Sequence, residues 1–189
     1  VTCIVPNKYP YYLDWMTGIR DIVIFKTDTE GRAEKAVSEA DIIFCLDFHS
    51  LSRLDSLGDM IAANTTAKRV LIDHHLNPSE AFDVMFSHPE ASSTSYLVYK
   101  LIEAVWGAES VTAKQAEVMY VGMMTDTGNF SFSSVTPDVF RVVSLLAETG
   151  ISIPDIHIHV YNSFTEGRAR QSGYVINRKM KIFHNGTVA

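Results

Sequence analysis

Short apolar runs alternate with helix-patterned segments along most of this 189-residue chain, and that alternation leaves few folds open. Runs at residues 1–5, 22–25, 42–46, 70–72 and 82–86 read as strands. Between the second and third, residues 29–40 place Ala33, Ala36, Val37 and Ala40 three and four apart, the spacing of one helix face. Residues 57–63 read as the next crossover. After Ser92 and Ser93, either of which can cap a helix, Tyr96, Leu97, Leu101, Ile102 and Val105 form an apolar stripe that Gly107 stops. Thr112 starts a further helix reaching Met124, and Thr136-Pro137 starts another that ends before Gly150. The expected fold class is therefore α/β, with a mostly parallel sheet flanked by helices on both faces and followed by a linker helix. Residues 1–150 read as one compact unit and residues 151–189 as connecting helices, with the boundary near 150–154.

Composition narrows the function. Apolar residues make up 47% of the chain, enough for a sizeable core without disulfide staples. Sixteen Lys and Arg against 22 Asp and Glu leave a formal charge of −6, which argues against an electrostatic grip on duplex DNA or an anionic membrane. Cys3 and Cys45 sit singly in apolar runs, so neither a disulfide framework nor a thiolate zinc site is expected, and a reducing, cytoplasmic compartment is. No run approaches the roughly 18 to 20 apolar residues that cross a bilayer, and the opening stretch stops too early for a signal peptide. The chain starts without Met inside a strand and stops in apolar alternation, and it reads as a piece cut at both ends.

Acids and histidines fall where the strands end. Ile42-Ile43-Phe44-Cys45-Leu46 runs into Asp47, and Val70-Leu71-Ile72 runs into Asp73-His74-His75. Open α/β sheets bind ligands at that carboxyl edge. Asp126, after an apolar helical run and before Gly128, is a third candidate. Carboxylates with some imidazole suit Mn²⁺ or Mg²⁺ better than thiolate-loving metals. Each residue has a plainer use. An Asp ending a strand is as readily a turn former or cap, and Gly128-Asn129 can account for Asp126 as part of a turn. Two consecutive histidines after an apolar strand are harder to explain by packing.

Taken in order, Cys45-Leu46-Asp47-Phe48, Leu71-Ile72-Asp73-His74-His75-Leu76-Asn77-Pro78, Ser92-Ser93-Thr94-Ser95 and Thr125-Asp126-Thr127-Gly128 resemble the DHH family of metal-dependent phosphoesterases. The likeness is to its branch of bacterial oligoribonucleases and 3′-phosphoadenosine-5′-phosphate phosphatases, and it covers nearly the whole chain. The resemblance implies a catalytic domain over residues 1–150, with Asp47 bridging two metal ions and His74 and Asp126 completing the ligands of one. It implies that Asp73 orients an imidazole and that His75 faces the phosphate. The expected cofactor is Mn²⁺ or Mg²⁺, two ions in an intact enzyme, which activate a water and neutralise phosphoryl charge. Expected partners are short oligoribonucleotides or small nucleotides, with no duplex DNA and no membrane; a homodimer is left open.

The sequence also departs from that family. No His is followed by Asp at both the fourth and sixth positions, so the family's early His-x-x-x-Asp-x-Asp motif is absent, and so is the Gly-Gly-His type motif of its second domain. Only a start of that domain is expected, near residues 181–183. The chain should hold at most half of the metal site and turn over little or nothing. Beyond the motif, Arg53 and Asn77 are candidate phosphate contacts, as are Ser93 and Thr94, although helix capping alone explains the last two. His49 and Ser50 read as a solvated loop. Phe130 and Phe132 could stack a base, but core packing is the expected use of both rings. His157 and His159 read as structural, and His88 and His184 carry no signal. The alternatives are a manganese pyrophosphatase or exopolyphosphatase, and a non-catalytic nucleotide-binding module.

Overall fold

The computed structural model describes residues 1–163 and 165–183. His184 lies outside them. The chain divides after Ile153 into two compact units.

The first unit carries five strands and the helices between them. Strands β1 (Ile4–Val5) and β2 (Val23–Ile24) pair in parallel as a short ribbon. Strands β3 (Ile42–Leu46), β4 (Lys68–Asp73) and β5 (Val84–Ser87) form a second parallel sheet with β4 in the centre. Helix α1 (Arg32–Ser38) precedes β3 and helix α2 (Ser56–Ala63) leads into β4. Helices α3 (Thr94–Trp106), α4 (Ala113–Asp126) and α5 (Pro137–Glu148) follow the sheet. The fold is thus α/β with parallel sheets and flanking helices, as the alternation predicts.

The helix boundaries follow local chemistry. Ser93 caps α3, its hydroxyl accepting the Tyr96 amide at 3.1 Å, and Gly107 ends that helix at φ +86°. Thr112 and Gln115 form a reciprocal capping box at the start of α4. Pro137 opens α5, where its missing N–H costs nothing.

The core explains which face of the sheet each strand turns inward. Cys45 and Leu71 pack with Val37 of α1 and with Leu57 and Ile61 of α2, while α3 packs on β4. Strand β4 is buried on both faces, Leu71 at 0% and Ile72 at 3% exposure. Its neighbour differs from the fully apolar run read in the sequence. In β3, Ile42, Phe44 and Leu46 are 45–57% exposed while Cys45 between them is buried, because β3 is an edge strand with one face against α1 and α2. Burial pushes the Cys45 thiol up to about 11, so it behaves as a small apolar group. Phe130 packs against Tyr120 and Phe140, ring centres 5.7 and 6.1 Å away. Phe132 corrects the expectation of core packing: it is 58% exposed, folded over Gly128 on the loop after α4.

The second unit contains α6 (Ile153–His157, whose first residue ends the first unit), a π-helical turn Ile158–Asn162, α7 (Glu166–Tyr174) and a second such turn Val175–Lys179. Thr165 caps α7. In place of the strand expected at 181–183, only Phe183 makes an isolated bridge among the described residues. No helix among them is long and apolar enough to cross a membrane.

Candidate metal centre

Four of the acidic and imidazole groups singled out in the sequence meet beyond the carboxyl ends of β3 and β4. Asp47 extends β3 by one ladder bond, its amide donating to Ile72 O at 3.1 Å, and then turns sharply at φ +69°. A left-handed conformation at a non-glycine residue costs free energy and persists where the surroundings impose it, commonly at functional sites. Here the first residue of α3 helps impose it, since Thr94 Oγ1 donates to Asp47 Oδ1 at 2.8 Å.

His74 follows β4. Its Nδ1 lies 3.2 Å from Ala91 O, and a carbonyl can only accept, so the proton sits on Nδ1 and Nε2 turns to the rim. There Nε2 stands 3.1 Å from Asp126 Oδ2 and 3.7 Å from Asp47 Oδ1. A neutral Nε2 has only a lone pair to offer two carboxylates, and three acceptors at that spacing need a cation, either a proton or a metal ion, among them.

Asp73, expected beside an imidazole, is the fully buried end of β4 and holds His75 Nδ1 at 2.7 Å through Oδ1. Its Oδ2 is buried with no hydrogen-bond partner among the described residues, a costly state for a carboxylate oxygen. The Asp73 hydrogen bond raises the His75 pKa, with smaller contributions from the charges of Asp73, Asp47 and Asp126 and a lowering by burial. Burial raises the Asp126 carboxyl first; His74 pulls it down and Asp47 pushes it up. Asp47, His74 and His75 each bring one ligand atom within 4.8 Å of the others. Asp126 joins through His74, delivered by the last residue of α4, after which Gly128, Asn129 and Phe130 turn the chain at φ of +55° to +60°. Among the described residues these carboxylates pair with imidazoles and not with Lys or Arg.

Oxygen and imidazole donors in this spacing fit Mn²⁺ or Mg²⁺, with Mn²⁺ the better match to the nitrogen share. Asp47 and Asp126 also border an open groove of about 590 Å³ between the end of β3, α3 and α4, floored by Leu46, Val98 and Met119.

Of the other sequence candidates, only Thr94 is shown in these contacts. Arg53 is exposed on the turn Leu51–Leu54, and Asn77 is exposed at φ +57° on the loop after His75. Ser93 is buried with its hydroxyl engaged in the cap, the plainer of its two uses, and Thr94 serves Asp47. His49, expected in a solvated loop, is half-buried there. Its ring centre is 6.0 Å from that of His75, and its carbonyl accepts the Ser79 amide at 2.8 Å, joining the loops after β3 and β4.

Residues 1–123 match the model of the DHH family, N-terminal domain. The bifunctional oligoribonuclease and PAP phosphatase NrnA of Bacillus subtilis is 30% identical over 98 residues, covering 51% of this chain and 31% of that protein. The protein of the same name from Thermus thermophilus is 34% identical over 85 residues, 45% of this chain and 26% of the relative. A crystal structure of an exopolyphosphatase-related protein from Bacteroides fragilis superposes with a TM-score of 0.92 at 42% identity, covering 97% of this chain and 53% of that one. The chain thus spans between a quarter and a third of the length of these curated relatives and about half of the Bacteroides chain. With that match over most of its first unit, the chain belongs to the DHH family.

Proposed function

We propose that this protein is a metal-dependent phosphoesterase acting on short nucleotide phosphoesters, oligoribonucleotides of a few residues or 3′-phosphoadenosine-5′-phosphate. The observation that carries the reading is His74 Nε2 set between Asp126 and Asp47 with no Lys or Arg paired to them among the described residues, a gap that fits a divalent cation. Family membership and the names of the two NrnA relatives supply the substrate class.

Asp47, His74 and Asp126 would hold one Mn²⁺ or Mg²⁺, with His75 close enough to share it or to face the phosphate. Such an ion, when bound, neutralises phosphoryl charge and acidifies water. The chain's own groups do the rest. Ala91 O keeps the His74 proton on Nδ1 and so presents Nε2 to the rim. Asp73 keeps a proton on His75 Nδ1, which leaves Nε2 to donate to a phosphoryl oxygen when the ring is charged. Thr94 fixes the rotamer of Asp47. These donors suffice for one ion; a second would need ligands beyond them. We therefore expect this chain to bind a single Mn²⁺ and to turn over slowly.

A second reading has its own support, the exopolyphosphatase-related Bacteroides structure, with an inorganic phosphoanhydride in place of the nucleotide. The test is Mn²⁺-dependent hydrolysis of 5′-phosphorylated adenylate dinucleotide, 3′-phosphoadenosine-5′-phosphate, pyrophosphate and polyphosphate by this chain and by the longest protein its gene encodes. Turnover of a nucleotide and not of pyrophosphate or polyphosphate is expected. Preference for the inorganic substrates would replace the proposal with the second reading, and metal binding without turnover of any of them by the longest product would leave a binding module.

A further inference from the structure

Helices α3 and α4 pack closely near the rim, and each carries a residue that touches the candidate centre. A Cβ placed on Gly122 of α4 would lie 2.7 Å from Ser95 Cβ and 2.8 Å from Ser95 Oγ on α3. Ser95 Oγ itself donates to Met119 O at 2.9 Å, one turn earlier on α4, so a hydrogen bond draws together the backbones that the glycine lets approach. Ser95 Cβ is fixed to its own backbone and cannot swing away as a long side chain would. Carbon atoms rest about 3.5 Å apart or more, so any side chain at position 122 must part the helices.

What the crossing controls is visible in the neighbouring residues. Asp126 lies four residues beyond Gly122, one turn along the same face of α4, and reaches His74 Nε2 at 3.1 Å. Thr94 immediately precedes Ser95 and holds Asp47 Oδ1 at 2.8 Å. Asp126 on α4 and Thr94 on α3 thus flank the tightest contact between the two helices that Gly122 permits, each within about a turn of it. We infer that Gly122 and Ser95 are positioning residues for the metal centre, setting the distance between Asp126 and the Asp47–His74 pair. The inference rests on the metal-binding reading above.

The test uses Mn²⁺ alone as probe, its dissociation constant measured by calorimetry, beside the melting temperature of the metal-free chain. In an uncrowded helix interior Gly→Ala is stabilising, so a purely local account predicts Gly122→Ala with a higher melting temperature and unchanged Mn²⁺ affinity. The expected result is a loss of Mn²⁺ affinity of about 10-fold or more, the range for displaced supporting groups. Removing the opposing carbon in Gly122→Ala/Ser95→Gly should recover most of that affinity even though the second substitution weakens α3. Ser95→Thr, which adds a single methyl at the same contact, should weaken Mn²⁺ binding in the same direction and serves if Gly122→Ala does not fold. Unchanged affinity in a folded Gly122→Ala, or in Ser95→Thr if that variant alone folds, would overturn the inference, as would a double variant that recovers its melting temperature but not its affinity. Asp126→Asn separates the two levels: if it leaves Mn²⁺ affinity intact, the metal-centre reading itself fails, and the inference falls with it.

Discussion

The two ends of strands β3 and β4 are built from the same kinds of residue and treat charge in opposite ways. At the amino end, Lys68 pairs with Asp83 at 2.9 Å, Asp83 also accepts the Arg69 amide at 2.9 Å, and Asn64 Oδ1 accepts the amides of Thr66 and Ala67. Acid there meets base or backbone N–H, which holds the Asp83 carboxyl below its usual range, first through the Arg69 amide and then through Lys68. At the carboxyl end, among the described residues, the side chains of Asp47, Asp73 and Asp126 meet only imidazoles and a hydroxyl, one carboxylate oxygen is buried without a hydrogen-bond partner, and Asp47 sits in a left-handed conformation. One end is finished by the fold alone, and the other is the end at which we propose a cation. Charge at a sheet edge thus points to a ligand through the partners it lacks, not through its presence.

The contrast breaks most decisively at Asp47. Asp47→Asn keeps an acceptor for Thr94 and a side chain that tolerates positive φ, but removes the charge. Mn²⁺ affinity measured by calorimetry should fall by at least about 100-fold, beyond what loss of a supporting group costs. The metal-free melting temperature should stay within about 4 °C, the effect of roughly 1 kcal/mol in a chain of this size. A variant that unfolds, or one that still binds the ion at parental strength, would make Asp47 a structural residue like those of the amino end.

Asp73 tests the buried side of the same rim with a smaller effect. Asp73→Asn should weaken Mn²⁺ binding about 10-fold, as expected for a group that orients a neighbour. The titration of His75 followed by NMR should move down, because the largest cause of its raised pKa is the Asp73 hydrogen bond. A raised folded-state pKa means that the stabilisation from His75 is complete below 6.5 and is lost as pH rises through the folded value. Denaturation midpoints of the parent should therefore decline above pH 6.5 more steeply than those of Asp73→Asn. Equal slopes would show that this carboxylate does not control the ring.

What could be read in the sequence follows the range of the interaction involved. Capping is local, so Ser93, Thr112, Pro137 and Gly107 marked their helix ends, and the strand-end positions of Asp47 and Asp73-His74-His75 followed from where apolar runs stop. Pairing across the fold was not readable. Nothing in the order of residues tells that Thr94 hands its hydroxyl to a residue 47 positions earlier, or that Gly122 must be small because Ser95 faces it. The uniform apolarity of β3 concealed that it is an edge strand, since the period-two signal disappears when exposed and buried positions are both hydrophobic.

A bond away from both ends separates stability from site. Tyr96 Oη donates to Asp138 Oδ2 at 2.6 Å and ties α3 to α5. Burial first, and this bond second, push the Tyr96 phenol up to about 12, so its stabilisation is complete below pH 10.0 and is lost between there and about 12. The same bond holds the Asp138 carboxyl below its ordinary value, so the acid-side contribution is present at neutral pH and fades as pH falls. Tyr96→Phe should cost about 1 kcal/mol in urea denaturation at pH 7, flatten the alkaline limb, and leave Mn²⁺ affinity unchanged. Weakened metal binding would mean that α5 also supports the rim.

The smallest effect belongs to the amino end and gives the comparison its control. Lys68 and Asp83 are matched on an exposed surface, where an ion pair adds little because water and salt screen it. Lys68→Met removes the base and leaves Asp83 with its bond from the Arg69 amide. The melting temperature should move by no more than about 2 °C, with Mn²⁺ affinity unchanged. Because the Asp83 carboxyl is held low mainly by the Arg69 amide, its titration in the variant should rise only part of the way to the ordinary value. Were Lys68→Met to shift metal affinity as Asp73→Asn is expected to, the two ends would be electrostatically coupled along β4. The excess negative charge at the carboxyl end could then no longer be treated as a local demand for a cation.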